Sequence, residues 1–176
     1  MIRLFSFRGL ALVLVASGIG ACSTSPFDRG FAPGRAINLI AADGTARGVL
    51  MLREGRDGAM LTLNAVGMPA GVHGVHLHER GQCEGPAFTS AGGHWNPTAR
   101  KHGRENPNGA HLGDLPNFEV GASGAGTAIL AVPSSAMMAD VDGTALVVHA
   151  KADDYRTDPS GNSGDRIACA VIAPPR

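Results

Sequence analysis

The sequence predicts an all-β domain, with eight short antiparallel strands forming a sandwich or barrel interrupted by two long loops. Three observations carry this. Apolar and polar residues alternate with period two in short runs, turns containing Gly, Pro and Asp separate the runs, and no stretch shows the periodicity of a long helix. At 176 residues, 44% hydrophobic and 17% charged, the chain has the size and composition of one globular domain rather than of a disordered segment. Its formal net charge of zero gives no sign of a nucleic-acid partner.

The strands follow in order. Residues 35–40 (RAINLI) form the first and 48–53 the second. Residues 59–64 (AMLTLN), the third, alternate cleanly. Ala42-Asp43-Gly44 and Arg56-Asp57-Gly58 supply the turns between them. Residues 72–79 make a fourth strand, and 117–121, 126–132, 144–150 and 166–172 the remaining four, with Asp142-Gly143 as a further turn. Two connections break the rhythm, residues 80–114 and 151–165. A loop of over thirty residues inside a compact domain needs something to order it.

Residues 1–21 read as an export signal rather than as fold. Arg3 and Arg8 precede a short apolar run at 10–15, and small residues lead to Cys22. The run is too short for a permanent membrane span. Ile19-Gly20-Ala21-Cys22 resembles the bacterial lipobox, which implies cleavage before Cys22 and lipidation of its thiol. Ser23, by the same resemblance, favours the outer membrane. The expected location is the periplasm or cell envelope, with the chain anchored through Cys22. Residues 22–34 form a turn-rich tether, and residues 35–176 the folded domain. Loss of Arg3 and Arg8 leaves the mature chain formally negative by two.

Three of the seven histidines fall within GVHGVHLHER, residues 71–80. Alternation along a strand puts His76 and His78 on one face, where two imidazoles can grip one metal ion, and gives His73 the opposite parity and a structural role. A lone His-x-His is a weak signal. The first long loop strengthens it: His94, His102, His111 and Asp114 offer three nitrogens and a carboxylate, a set that suits tetrahedral zinc and would order the loop. His149 ends an apolar strand and, taken alone, reads as a core-edge imidazole.

The motifs HGVHLHE (73–79), SAGGHWNP (90–97), KHG (101–103), HLGDLPN (111–117), LVVHAKADD (146–154) and GNSGDRIAC (161–169) together resemble the copper/zinc superoxide dismutase family in its exported bacterial form. The resemblance spans about residues 35–173, nearly all of the mature chain. The resemblance implies an eight-stranded Greek-key barrel with two long functional loops, one copper and one zinc per subunit, and a monomer or homodimer. It implies copper ligands His76, His78, His94 and His149, and zinc ligands His94, His102, His111 and Asp114, with His94 bridging the two ions. Asp153 matches the carboxylate that hydrogen-bonds one ligand of each metal, here His76 and His102. Arg166 matches the arginine that binds the anion beside copper, and Cys83 and Cys169 match the family disulfide, which leaves Cys22 as the lone thiol. The implied reaction is dismutation of superoxide to dioxygen and hydrogen peroxide, with His94 passing a proton. A non-enzymatic periplasmic copper/zinc binding or carrier protein is the alternative. The sequence departs from the animal enzymes at Pro159 and Ser160, where they carry Lys and Thr. Anion steering would then be weaker, or would fall to other groups such as Lys151 or Arg156.

Overall fold

The computed structural model describes residues 31–133 and 140–176. The expected signal peptide, Cys22 and most of the expected tether lie outside the described residues. Nine strands are present among those described: β1 (Arg35–Ala41), β2 (Ala46–Glu54), β3 (Ala59–Ala65), β4 (Gly71–His73), β5 (Val75–His78), β6 (Phe118–Val120), β7 (Gly126–Val132), β8 (Thr144–His149) and β9 (Arg166–Ala173).

The ninth strand arises because the expected strand at 72–79 divides at Gly74. Its amide donates to Lys151 O at 2.7 Å and its carbonyl accepts from His149 N at 2.9 Å, so Gly74 turns its backbone toward the end of β8. A Cβ there would stand 2.9 Å from Ser163 Cβ, closer than two carbons pack. β4 therefore pairs with β6, while β5 pairs with β8.

The main sheet runs β5-β8-β9-β1-β2-β3-β7, antiparallel at every pairing. A tight turn, with Gly121 N on Ala125 O at 2.9 Å, folds β6 back beside β7. β6 carries β4, and β4 leads back into β5, so the sheet curls into a ring. The spatial order β3-β7-β6-β4 is a Greek-key arrangement, since the chain crosses the barrel end after β3 and returns to β3's other side through β7.

Alternation fills the barrel. Leu39, Leu50, Leu61, Leu63, Leu77 and Leu146 are each fully buried within one apolar cluster. A second, smaller cluster of Phe88, Ala91, Ala145, Val147 and Cys169 lies outside the barrel. It exists because the first long loop covers the outer face of β8, and this explains why every residue of that strand is buried. The Cys83–Cys169 disulfide ties this loop to β9. β5 is buried throughout for the same reason, with Val75 and Leu77 in the core and His76 and His78 on the opposite face under the loops. No helix among the described residues is long and apolar enough to cross a membrane.

Candidate metal centre

β5 and β8 bring three histidines together. His76 and His78 share the outer face of β5, and a register shift between Val148 and His149 re-aims His149 at the end of β8. Ring centroids lie 4.8 Å apart for His76 and His149, and 5.8 Å apart for His78 and His149. In each ring one nitrogen is held by the protein: His76 Nε2 on Asp153 Oδ2 at 2.9 Å, His78 Nδ1 on Gly92 O at 3.0 Å, His149 Nδ1 on Gly164 O at 3.1 Å. The other nitrogen of each, His76 Nδ1, His78 Nε2 and His149 Nε2, is buried without a partner. An unpaired buried polar atom is costly, and three in one place call for a ligand that the protein itself does not supply.

The first long loop delivers His94 and Asp114 to the same region by backbone pairing with β5. Trp95 N donates to Leu77 O at 2.8 Å and Leu77 N to Gly113 O at 2.9 Å. Gly113 is required there, because a Cβ would lie 2.5 Å from Leu77 O. Donor atoms of His76, His78, His94 and His149 all fall within 4.8 Å of one another.

On the other side of His94, three ring nitrogens converge on one oxygen. Asp114 Oδ1 lies 3.1 Å from His94 Nδ1, 3.0 Å from His102 Nδ1 and 3.2 Å from His111 Nδ1, and the last is 3.3 Å from His94 Nδ1. Asp114 Oδ2 is occupied by the amides of Gly103 and His111, each at 3.0 Å. Three N–H donors would oversubscribe the two lone pairs of Oδ1. The spacing instead matches the edges of a tetrahedron, since donors about 2.0–2.1 Å from a shared zinc stand about 3.3 Å from each other. His76, His94, His102 and Asp114 also place donor atoms within 4.8 Å. His76 spends Nε2 on Asp153, however, so His111 is the better fourth donor of this cage.

Asp153 spans both groups. Oδ2 accepts from His76 and Oδ1 from His102, at 2.9 and 3.0 Å, and Oδ1 also accepts Tyr155 N at 2.7 Å. Asn117 clamps the Asp153 backbone from both sides, each bond 2.9 Å, and donates its own amide to the Tyr155 hydroxyl at 2.7 Å. His73 stands apart from the cluster. It is buried, with Nδ1 2.8 Å from His149 O and Nε2 2.9 Å from Pro69 O.

Charge separates the two sides. Burial, then neighbouring His76, lowers His149 to about 3; burial outweighs the Asp114 hydrogen bond and lowers His94 to about 4. Burial also lowers His76 and His78, which keeps these rings neutral and ready to bind. Burial disfavours charge on His102 too, but hydrogen bonds to Asp114 and Asp153 prevail and raise it to about 9. Those bonds hold both carboxyls below the usual carboxylate range despite burial.

Arg166 Nη1 donates to Phe88 O and Nη2 to Gly92 O, both at 2.7 Å. It lines an open cavity of about 290 Å³ together with His78, His94, His149, Pro159 and Ser160. Of the two cations considered for steering, Arg156 is paired with Glu105 through Nε at 2.8 Å and Nη2 at 2.6 Å, while Lys151 has no ion pair among the described residues. The functional groups that sequence reasoning missed are mostly backbone: the carbonyls of Gly92, Gly164 and Phe88. Asn117 lay within a quoted motif, but nothing in its identity announced the clamp.

A family profile described as copper/zinc superoxide dismutase matches residues 46–172. The chain belongs to the copper/zinc superoxide dismutase family. The curled ring is that family's Greek-key barrel, and copper and zinc are its cofactors. "Superoxide dismutase [Cu-Zn] 2" of Aquifex aeolicus is 42% identical over 142 residues, 76% of this chain and 83% of that protein. "Superoxide dismutase-like protein YojM" of Bacillus subtilis is 40% identical over 148 residues, 79% of this chain and 76% of that protein. A crystal structure of a SOD-like protein from Bacillus subtilis superposes with a TM-score of 0.74 at 40% identity, covering 81% of this chain and 99% of that one.

Proposed function

We propose that this chain dismutates superoxide to dioxygen and hydrogen peroxide at a histidine-bridged copper/zinc centre. The observation that carries the reading is the trio of buried, unpartnered nitrogens of His76, His78 and His149, set beside His94, with His78, His94 and His149 lining a cavity that Arg166 also lines. Copper would be held by those three nitrogens and His94, and zinc by His94 Nδ1, His102 Nδ1, His111 Nδ1 and Asp114 Oδ1. Bound copper supplies a centre that takes an electron from one superoxide and returns it to a second, and bound zinc supplies fixed positive charge without redox change.

The chain's own residues do the rest. The Arg166 guanidinium, aimed by two backbone carbonyls, attracts the anion and hydrogen-bonds it at the mouth. His94 commits Nδ1 to the Asp114 side. Its remaining ring nitrogen, whenever it is not engaged by copper, takes one proton from solvent at the open mouth and delivers it to the nascent peroxide; solvent supplies the second proton by the same path. Asp153 fixes the orientation of His76 and His102.

Relatives of this chain include proteins named superoxide dismutase and one named superoxide dismutase-like, so activity must rest on this chain's own side chains. Six histidines, Asp114, Asp153 and Arg166 together support catalysis over a copper/zinc carrier, which has no use for an anion-binding arginine. The test is superoxide consumption by the copper- and zinc-loaded protein beside His149→Ala and Arg166→Ala. Catalysis requires that Arg166→Ala lose ~10-fold or more in turnover with both metals retained. Stoichiometric metal binding without turnover in the unsubstituted protein would establish storage instead.

The reading extends to location. Residues 1–21 direct export, Cys22 carries lipid, and residues 22–34 tether the domain in the cell envelope at the outer membrane. The lipobox resemblance and the pairing of Cys83 with Cys169, which leaves Cys22 as the lone thiol, support it. Mass spectrometry of the native N-terminus tests it. A first residue other than Cys22, or an unmodified Cys22, would overturn the anchor.

A further inference from the structure

Four of the histidines around the centre give their outer nitrogen a protein acceptor: His76 and His102 use Asp153, His78 uses Gly92 O, and His149 uses Gly164 O. His94 reaches both clusters with its ring. His111 differs. Its Nδ1 is turned to Asp114 and His94, and no protein acceptor lies within hydrogen-bond distance of Nε2 among the described residues. A ring that gives one nitrogen to a metal carries a proton on the other, so His111 Nε2 is an unused donor.

His111 and Asp114 lie at the wall of a cleft of about 450 Å³ also lined by Thr98, Arg100, Arg104 and Leu112. Both arginines are exposed, and neither has a carboxylate partner among the described residues. Each guanidinium makes one bond to backbone, Arg100 Nη1 to Gly109 O at 2.6 Å and Arg104 Nη1 to Asp114 O at 3.3 Å, and keeps its other N–H groups. The nearby acids are spent elsewhere: Glu105 on Arg156, Asp158 on Lys101 and the His102 amide, and the Asp114 carboxylate on the cage. The cleft therefore holds two unneutralised guanidiniums and an imidazole donor, with no free carboxylate among the lining residues.

We propose that this cleft binds a phosphate-type oxyanion, gripped by Arg100 and Arg104 and hydrogen-bonded by His111 Nε2. The proposal rests on the reading of His111 as a zinc ligand. Guanidinium pairs suit tetrahedral oxyanions, and an acceptor on the outer nitrogen of a ligating histidine raises the basicity of the inner one. The anion thus completes for His111 what Asp153 does for His102. Coupling is reciprocal: oxyanion tightens zinc, and zinc tightens oxyanion. The same chemistry is offered by free phosphate and by a phospholipid headgroup.

The experiment uses the copper- and zinc-loaded protein, with Cys22→Ser to exclude insertion through a lipid. Inorganic phosphate is titrated calorimetrically, and zinc release into a chelator is timed with and without saturating phosphate. The comparisons are Arg100→Gln/Arg104→Gln and, as a distant control, Arg47→Gln. We expect saturable phosphate binding that weakens ~10-fold or more in the double variant, and zinc release slowed ~10-fold by phosphate only when both cleft arginines are present. Equal binding by the double variant, or zinc release indifferent to phosphate in the unsubstituted protein, would overturn the proposal. His111→Ala without phosphate separates the two layers. If zinc affinity falls there while phosphate has no effect on the unsubstituted protein, the cleft alone fails; if zinc affinity is unchanged, the ligand reading fails and takes the coupling with it. Sedimentation with phosphatidic acid vesicles but not phosphatidylcholine, lost in the double variant, assigns the oxyanion to a headgroup. Phosphate titration without vesicle binding assigns it to a soluble anion.

Discussion

Asp153→Ala should loosen both metal sites, and zinc more than copper. The carboxylate accepts from His76 at 2.9 Å and from His102 at 3.0 Å, so the substitution deletes one buried bond on each side. Loss of such outer contacts costs about 10- to 100-fold in metal affinity, or about 1.4–2.7 kcal/mol. The asymmetry comes from the elements beneath. His76 and His78 sit in β5 with β8 laddered beside it, and His149 ends β8, so three of the four copper-side donors keep their places without Asp153. His102, like every other residue of the Asp114 cage, lies in the long loop, and Asp153 is one of the few contacts that hold its ring. Zinc affinity should therefore fall toward 100-fold and copper affinity nearer 10-fold. Competition titrations against chelators, one metal at a time, measure both. A copper loss equal to or larger than the zinc loss would refute the argument that the strands pin one site and the loop the other.

Three further outcomes follow from the same geometry. Cys83→Ser opens a loop with a sequence separation of 86 and should cost about 4–5 kcal/mol in the chain-entropy limit, read as a drop in unfolding free energy by denaturant titration. The metal-free protein should be most stable near neutral pH, a little above the ordinary histidine value of about 6.5, because four lowered histidines oppose one raised one. Below it, the unfolded chain binds more protons than the folded one at His76, His78, His94 and His149, so stability falls with acidity. Above it, the folded chain alone keeps a proton on His102 until about pH 9, so stability falls with alkalinity. Thermal unfolding across pH 5–9.5 checks both limbs, and zinc loading should abolish the alkaline one. Turnover should decline with rising ionic strength, because a chain of formal charge near zero can guide an anion only through local cations such as Arg166; a salt-independent rate would remove local steering.

Most of the barrel was legible because period-two alternation is a direct imprint of burial, and residues such as Leu61 and Leu63 point inward as their spacing required. The division at Gly74 was not legible, since it depends on Ser163 and Lys151, far away in sequence. The parity argument for His73 assumed an unbroken strand; the ring stands apart from the cluster for a different reason, its two carbonyl contacts beyond the break. Side-chain donors were visible as letters, whereas the carbonyls of Gly92 and Gly164 have no letter of their own. The role considered for Arg156 depended on Glu105 being elsewhere, and only folding brings that partner near.

Arg166 and Cys169 share one strand, and both reach the same short segment: the disulfide closes on Cys83, and the guanidinium rests on the carbonyls of Phe88 and Gly92. Reduction of that bond would leave the segment, and with it both supports of the guanidinium, held only by noncovalent contacts such as the packing of Phe88 and the pairing of Arg80 N with Ala91 O. A chain kept in a thiol-rich compartment could then load its ions while its anion grip stayed slack, which makes oxidation a natural last step of maturation.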